Sequence, residues 1–465
     1  MIRDELRPML TLAAPVVTAE LGWVTMGIVD TLMVGGLGPS AIGAVGLAST
    51  LFIAVGVFAM GLLLGLDPLV AQAFGARRLD ECHRWLVAGV WLSVLVTAPM
   101  MAVLYGLRFL LNGWGLPPEV LALVHPYLSI LMWSLPPLLF YVSFRRYLQA
   151  MNLVRPVMFA LIAANLMNAF ANWVLVYGHL GAPALGVPGS AYATLASRIV
   201  MAGWLLAVII RHDARRTPAA GAADTAAWLI VEGAAPNALE GRLRDTPMGL
   251  DLPRVRQLVV LGIPAAGQMV LEVGVFAAAS ALVGRLSSNA LAAHQIALNL
   301  ASLTFMVPLG VASAAAVRVG QAIGRGDPRG AASAGWTAII IGVGFMATAA
   351  AVFLLFPRTL IRAFTSDPAV LELGVSLLFV AAVFQLFDGL QGVTTGALRG
   401  LSDTHTAMLW NFAGHWLVGL PLGYLLCFHW GLGVVGLWWG LSSGLVICGL
   451  ALIRVWIREG IRLAR

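Results

Sequence analysis

Twelve apolar stretches of membrane-spanning length divide this chain of 465 residues. Each stretch is about 20 residues or longer and carries few charges, as an α-helix that crosses a bilayer requires. The first stretch is too long for a cleavable signal. The pattern therefore predicts an all-α integral membrane protein with twelve transmembrane helices. Their expected bounds are 10–34, 48–72, 87–110, 122–148, 156–177, 188–210, 257–283, 295–320, 331–356, 371–398, 406–428 and 433–457.

The two halves of the chain carry the same sequence pattern. Residues 15–75 and 264–324 align without a gap at an offset of 249 positions, and 14 of the 61 aligned positions are identical, Gly61 and Gly310 among them. A period near half of the chain is too long for a solenoid and indicates two pseudo-symmetric lobes. The predicted organisation is a six-helix first lobe, a cytoplasmic linker and a six-helix second lobe, with bounds 1–210, 211–256 and 257–465.

Composition agrees with a membrane protein. Hydrophobic residues make up 60% of the chain and charged residues only 11%, less than half of the share that is typical of soluble domains. The net charge of +7 does not indicate a nucleic-acid partner, because the arginines gather at helix ends. The three cysteines lie at unrelated spacings, so neither a disulfide framework nor a metal site is implied.

The arginines also predict an orientation. All 28 basic residues are Arg, and 23 of them lie on the cytoplasmic side if the amino terminus is cytoplasmic, as the positive-inside rule requires. Both termini are then cytoplasmic. Six helices in each lobe make the repeats parallel, an arrangement that permits alternating access around a central cavity. We expect a monomer in a bacterial inner membrane, in contact with membrane lipid.

Three carboxylates within apolar segments break the symmetry of the duplication. They are Asp30 in the first helix, Glu272 in the seventh and Asp388 in the tenth. A charge at the bilayer centre costs roughly 2.5–3.5 kcal/mol, so an unpaired one indicates a function. The alternative is a carboxylate that hydroxyl groups or an Arg satisfy and that serves only helix packing.

Helix 5 carries a stripe of amides. Asn165, Asn168 and Asn172 stand three and seven positions apart, which places them on one face of an otherwise apolar helix. Such a stripe forms hydrogen bonds between helices, lines a site, or both. If Asp30 faces it, the amides would stabilise the carboxylate, and a kink at Pro15 would let helix 1 bend when the protonation of Asp30 changes.

The second lobe has a different polar group. Glu272 and Asp388 lie near the middle of their segments, and Gln385 and Gln391 flank Asp388 on helix 10. Two carboxylates with amide oxygens are suitable ligands for Na⁺. The same carboxylates, when desolvated and mutually repelling, could carry a proton instead. Both alternatives are consistent with the sequence.

Other residues are candidates for lining a cavity. Phe276, Phe384 and Tyr141 would suit flat organic cations, although a helical aromatic residue is more often in the core or facing lipid. His294 and Asn299 form a polar cluster near the outer end of helix 8, for which a packing role is favoured over a proton relay.

Four separated motifs now point to a family. They are VDT at 29–31 with VG at 34–35, LDPLVAQAFG at 66–75, NWVLVYG at 172–178 and AAHQIALN at 292–299. Together they resemble the multidrug and toxic compound extrusion (MATE) transporters, and the NorM-type branch in particular, along essentially the whole chain. The resemblance implies two six-helix lobes around a V-shaped cavity. It also implies export of cationic, often aromatic compounds in exchange for Na⁺ or H⁺.

The resemblance assigns roles residue by residue. Asp30 matches the family's helix 1 acid, and Asn168 and Asn172 match its helix 5 polar partners. Glu272 and Asp388 match the helix 7 and helix 10 acids that are implicated in cation binding. Possession of both second-lobe acids favours the NorM-type branch over the DinF-type branch.

Two ionisable residues depart from the NorM-type pattern. Glu20 lies two to three turns before Asp30, and Arg198 lies in helix 6. We expect them to pair with one another or with Asp30, and both are candidates for lining the cavity of the first lobe.

The function expected is secondary active efflux of small organic cations and drugs in antiport with Na⁺ or H⁺, without a further cofactor. A lipid-linked oligosaccharide flippase of the same superfamily is the alternative, but it would place arginines rather than carboxylates along its cavity. A membrane-embedded enzyme is not supported, because the eight histidines form no His-x-x-His or His-Glu-x-x-His cluster.

Overall fold

The twelve predicted helices are all present. The computed structural model describes residues 2–113, 117–215 and 241–464, so residues 216–240 of the predicted linker lie outside the described residues. Twelve helices are long and apolar enough to cross a membrane. In chain order, helices α1 to α12 span Ile2–Gly35, Pro39–Gly75, Leu79–Gly113, Pro118–Ala150, Arg155–Tyr177, Val187–Ala214, Leu252–Val283, Ser288–Gly324, Pro328–Leu355, Pro368–Gly400, His405–His429 and Gly433–Ala464.

Helices α8 and α10 begin before the apolar stretches that predicted them, and a polar side chain caps the first turn of each. Ser287 accepts a hydrogen bond from the Ala290 amide at the start of α8. Asp367 accepts one of 2.8 Å from the Ala369 amide at the start of α10, which continues with a Pro in its first turn. A capping oxygen satisfies a backbone donor that has no partner within the helix, and Pro has no such donor. Hydropathy alone therefore predicts helices that are too short.

The chain forms two compact units whose bounds differ from the predicted lobes. One unit is Thr18–Ala266, and the other combines Met1–Val17 with Gly267–Arg465. The first half of α1 is thus grouped with the second repeat, and the first half of α7 with the first repeat. Each division falls two residues after a proline inside the helix, Pro15 in α1 and Pro264 in α7.

The grouping of these half-helices explains why both repeats have a glycine at one equivalent position, Gly61 and Gly310. Gly61 in α2 lies against the backbone of Ala266, and a Cβ atom on Gly61 would overlap Ala266. The equivalent Gly310 in α8 lies against Val17, where a Cβ atom would be 2.9 Å from the Val17 Cα. Only glycine permits these close approaches of two helix backbones.

Bidentate ion pairs hold the exchanged segments in each unit. Arg318 of α8 binds both carboxylate oxygens of Glu5, with a shortest contact of 2.7 Å. In the other unit, Arg254 of α7 binds both oxygens of Glu81 in α3, at 2.7 and 3.1 Å, and its guanidinium lies 4.9 Å from the ring centre of Trp85. The planar fork of arginine matches a carboxylate in this way.

Within each unit one helix is central. In the unit Thr18–Ala266, α4 packs on α2, α3 and α6, and α5 packs on α6. In the other unit, α10 packs on α8, α9 and α12. The acid site of the first unit is built on α1, α5 and α6, and that of the second on α7, α10 and α11.

Helix α11 departs from regular α-helical geometry. It is π-helical over Phe412–Gly419 and Leu425–His429. Glycines let α11 approach α12 closely: a Cβ atom on Gly440 of α12 would overlap the backbone of Gly423 in α11. Wide π turns alter which side chains face inward, and they occur often at functional sites.

Candidate functional site

Asp30 is the centre of a buried polar site in the unit Thr18–Ala266. Its side chain is 7% exposed. One carboxylate oxygen accepts hydrogen bonds from the amide groups of Asn168, at 3.1 Å, and Asn172, at 2.8 Å. The other oxygen accepts one from the hydroxyl group of Thr194, at 2.8 Å. Every polar side chain in this set donates to the carboxylate.

The stripe on α5 contributes two of its three amides. Asn168 and Asn172 are fully buried and are four positions apart, so both reach Asp30 from one face of the helix. Asn165 does not join them, because its amide donates to the backbone oxygens of Gly22 and Leu161, each at 2.9 Å. Asn165 therefore links α5 to α1 one turn away from the site.

Thr194 of α6 was missed by the sequence analysis. Threonine is common in transmembrane helices, and its hydroxyl group usually bonds to the backbone of its own helix, so a single Thr carries little signal. The one sequence feature that could have predicted its role is its position four residues before Arg198, because this spacing places both side chains on the same face of α6.

Replacing Thr194 with Val should destabilise the protein by about 1.5–3 kcal/mol, because a buried carboxylate loses one of its three donors. Thr194→Ser keeps the hydroxyl group, so its stability should be close to that of the wild type. Thermal unfolding of the purified protein in detergent measures the difference. In an Asp30→Asn background the same substitution should cost less, and an equal cost there would show that Thr194 acts only through packing.

Among the described residues, Arg198 forms an ion pair with neither Glu20 nor Asp30, the two partners that the sequence predicts for it. Its guanidinium donates to the hydroxyl group of Ser134 at 2.5 Å. The charged group lies 4.5 Å from the ring centre of Phe52 and 5.7 Å from that of Trp23. Electron-rich ring faces and a hydroxyl oxygen thus surround a cation that is 6% exposed.

Glu20 pairs instead with Arg145. The two side chains form a hydrogen-bonded ion pair between α1 and α4, and both are largely buried. Tyr141, one turn before Arg145, is 1% exposed and lies in the core of this unit. The next residue, Arg146, contacts the buried carboxylate of Asp67 at 3.4 Å. The pairing differs from the expectation because Arg145 lies on the inner face of α4.

Glu272 and Asp388 come together in the other unit. The charge of Glu272 acts on Asp388, so the two carboxylates belong to one site. Gln268, Gln391 and Asn411 lie beside Glu272. Asp388 is 9% exposed, and Gln391 and Asn411 are fully buried. The predicted pair of acids with amide neighbours is thus assembled from α7, α10 and α11.

The amides around these acids have unused bonding capacity. Among the described residues, the polar atoms of Gln391 and Asn411 form no hydrogen bond of normal length and angle, although both amides lie beside Glu272. Gln385 donates to the hydroxyl group of Thr304 at 2.7 Å, and its oxygen has no partner. Buried amides without partners indicate water or an ion, and their oxygens with two carboxylates are suitable ligands for Na⁺.

Asn411, Gln268 and Thr304 were not predicted. Gln268 precedes Glu272 by one helical turn, so its position on the same face of α7 could have been noticed. Asn411 immediately precedes the first π-helical turn of α11, a feature that the sequence does not reveal.

Three further candidates occupy a small pocket in the same unit. Phe276, Phe384 and His294 line it, together with Leu298, Trp438, Leu441 and Leu445. His294 is fully buried; its Nδ1 accepts a hydrogen bond from Trp438 at 2.9 Å, and its Nε2 lies 2.9 Å from the Ser280 hydroxyl. Both ring nitrogens are engaged, which favours the packing role over a proton relay. Asn299 is exposed and does not join the pocket.

The MatE family model matches residues 15–174 and again 264–425. The two matches start 249 positions apart, as the duplication in the sequence does.

Curated relatives cover nearly the whole chain. It is 39% identical over 465 residues to a probable multidrug resistance protein NorM of Mesorhizobium japonicum, with 98% of this chain and 94% of the relative covered. It is 38% identical over 460 residues to a protein of the same name from Bradyrhizobium diazoefficiens, with 97% and 93% covered.

Solved structures share the fold. The eukaryotic MATE transporter AtDTX14 matches with a TM-score of 0.84 at 20% identity, covering 99% of this chain and 98% of that chain. A multidrug resistance MATE family transporter of the MOP superfamily, in an outward-facing conformation, matches with a TM-score of 0.82 at 20% identity, covering 99% and 96%.

Proposed function

Because this chain belongs to the MatE family, we propose that it is a secondary active transporter that exports cationic and aromatic drugs in antiport with Na⁺ or H⁺. It is a multi-pass membrane protein with twelve transmembrane helices. The near full-length relatives are named for multidrug resistance, so the flippase alternative is not favoured. A transporter of this kind is not an enzyme and needs no cofactor besides its coupling ion.

The observation that carries the proposal is a buried acid site in each compact unit. Asp30 forms one with its three donors, and Glu272 with Asp388 forms the other. Buried carboxylates in a membrane attract cations, and their neighbours decide which cations can bind. A drug cation and a coupling cation that compete for the same charges cannot be bound fully at the same time.

Antiport follows from such competition. Substrate enters from the cytoplasm or the inner leaflet while the acids hold no coupling ion. A cation that arrives from outside at Glu272 and Asp388, together with a change in the protonation of Asp30, then favours a state with lower drug affinity. A ligand with equal affinity for both states would shift nothing.

The distribution of the arginines supports a membrane orientation for the chain. We place both termini on the cytoplasmic side of a bacterial inner membrane, because most arginines then face the cytoplasm. The working unit is a monomer, since each compact unit supplies a complete acid site from its own helices.

Ethidium efflux from proteoliposomes tests this function and identifies the coupling ion. The purified protein is reconstituted, the vesicles are loaded with ethidium, and an imposed Na⁺ gradient is compared with an equal K⁺ gradient in the absence of a pH gradient. Faster efflux with Na⁺ indicates sodium at Glu272 and Asp388, whereas efflux driven only by a pH gradient indicates protons. No efflux under either gradient would contradict the proposal.

Asp30→Asn should reduce coupled efflux by about tenfold, within the usual range of coupling free energies. Asn keeps the size of the side chain but cannot exchange a proton. The matched control is Glu372→Gln, which removes a carboxylate that is 61% exposed and paired with Arg358. Undiminished transport by the Asp30→Asn protein would assign Asp30 to helix packing.

A further inference from the structure

Arg198 is a buried cation that the proposed cycle does not use. Among the described residues it forms no ion pair, and its contacts are the Ser134 hydroxyl group and the rings of Phe52 and Trp23. A cation within a membrane protein is costly, so one without a paired carboxylate indicates a role. Cation–π contacts and one hydrogen bond hold its charge in place without neutralising it.

The position of Arg198 connects it to Asp30. Thr194, which donates to the carboxylate of Asp30, lies one helical turn before Arg198 on the same face of α6. The charges of Arg198 and Asp30 attract each other. Both charges also interact electrostatically with the side chain of Tyr127 in α4. Among the described residues, Tyr127 and Asp30 are the titratable groups whose charges act on Arg198, while α2 contributes the ring of Phe52 and α5 contributes the two amides.

From this arrangement, and resting on the proposed function, we infer that Arg198 determines the cation specificity of the first site: it is a built-in cation that keeps Na⁺ and organic cations from Asp30 and leaves the proton as the ion exchanged there. The repulsion from Arg198 acts on every cation that approaches Asp30. A proton still binds, because it forms a covalent bond to a carboxylate oxygen.

The neighbours of Asp30 favour the same ion. Na⁺ needs a shell of oxygen ligands, but Asn168, Asn172 and Thr194 all direct hydrogens at the carboxylate. Sodium would have to reverse these donors and also face Arg198. The second site differs in its charges, because Glu272 and Asp388 have no arginine among their contacts in the described residues.

Binding of tetraphenylphosphonium to the purified full-length protein tests the inference by calorimetry. Arg198→Gln should bind this organic cation about tenfold more tightly than the wild type, within the range of couplings between charged groups. The added affinity of Arg198→Gln for tetraphenylphosphonium should fall when Na⁺ is added, because both cations then compete for Asp30. Arg198→Lys keeps a positive charge and should keep most of the wild-type affinity. In the double variant Arg198→Gln with Asp30→Asn, the gain should disappear.

Two results would overturn the inference. One is equal affinity of Arg198→Gln and wild type, and the other is a gain that persists without the carboxylate of Asp30. If Arg198→Gln does not fold, binding of radioactive ²²Na⁺ to wild type and to Asp30→Asn decides: equal sodium binding supports the inference, and loss of a sodium site in Asp30→Asn overturns it. Failure of the proposed function is distinct, because the wild type would then neither bind nor export tetraphenylphosphonium.

Discussion

Neutralising either acid of the second site, with Glu272→Gln or Asp388→Asn, should reduce ion-driven drug efflux by about 100-fold, near the upper end of usual coupling free energies. The two carboxylates share one buried site, so each depends on the other for binding a cation. Removing one charge lowers the attraction for any cation in a region where water screens little. The rate of ethidium efflux from proteoliposomes under an imposed Na⁺ or pH gradient measures the loss.

The same variants should remain folded. A neutral amide of similar size removes the repulsion between the acids, so thermal unfolding in detergent should occur at or above the wild-type temperature. The exposed Glu372→Gln is again the matched control. Loss of folded protein together with loss of transport would instead assign these acids to packing.

Replacing Glu20 with Gln should destabilise the protein by about 3–5 kcal/mol, because it leaves Arg145 buried without its partner. A single buried charge has no partner that offsets its desolvation cost, so we expect the single substitution to destabilise the protein more than removal of both charges. Thermal unfolding of the purified protein in detergent, and its yield from the membrane fraction, measure the effect.

The double variant Glu20→Gln with Arg145→Gln separates charge pairing from other roles. Two neutral amides can bond to each other across the same helix contact, so most of the lost stability should return. A double variant as unstable as Glu20→Gln would mean that Arg145 is needed for contacts besides Glu20. A variant in which Glu20 and Arg145 are exchanged should have a stability between those of the single and the double variant.

The sequence determined the number and order of the helices. Spanning length and hydropathy are local properties, so twelve segments could be recognised from apolar runs alone, and all twelve are helices. Their ends were predicted too short; at α8 and α10, caps such as Asp367 begin turns that hydropathy does not register. The duplication, read from shared residues such as Gly61 and Gly310, is matched by the two regions that the family model recognises.

The sequence also predicted which polar residues belong together where helical spacing decides it. Asn168 and Asn172 share a face of α5, and both bond to Asp30. The same spacing was misleading for Asn165, because one more turn places its amide beside the backbone of Gly22 instead.

Only the tertiary structure decided which distant partners meet. The pairing of Glu20 with Arg145, the placement of Arg198 on Phe52 and the arrival of Asn411 beside Glu272 depend on how helices far apart in the chain are packed. Local patterns contain no information about the rotation of one helix against another. The exchange of the first halves of α1 and α7 between the compact units has the same origin, since a helix that continues through Pro15 can change its packing partners without changing its hydropathy.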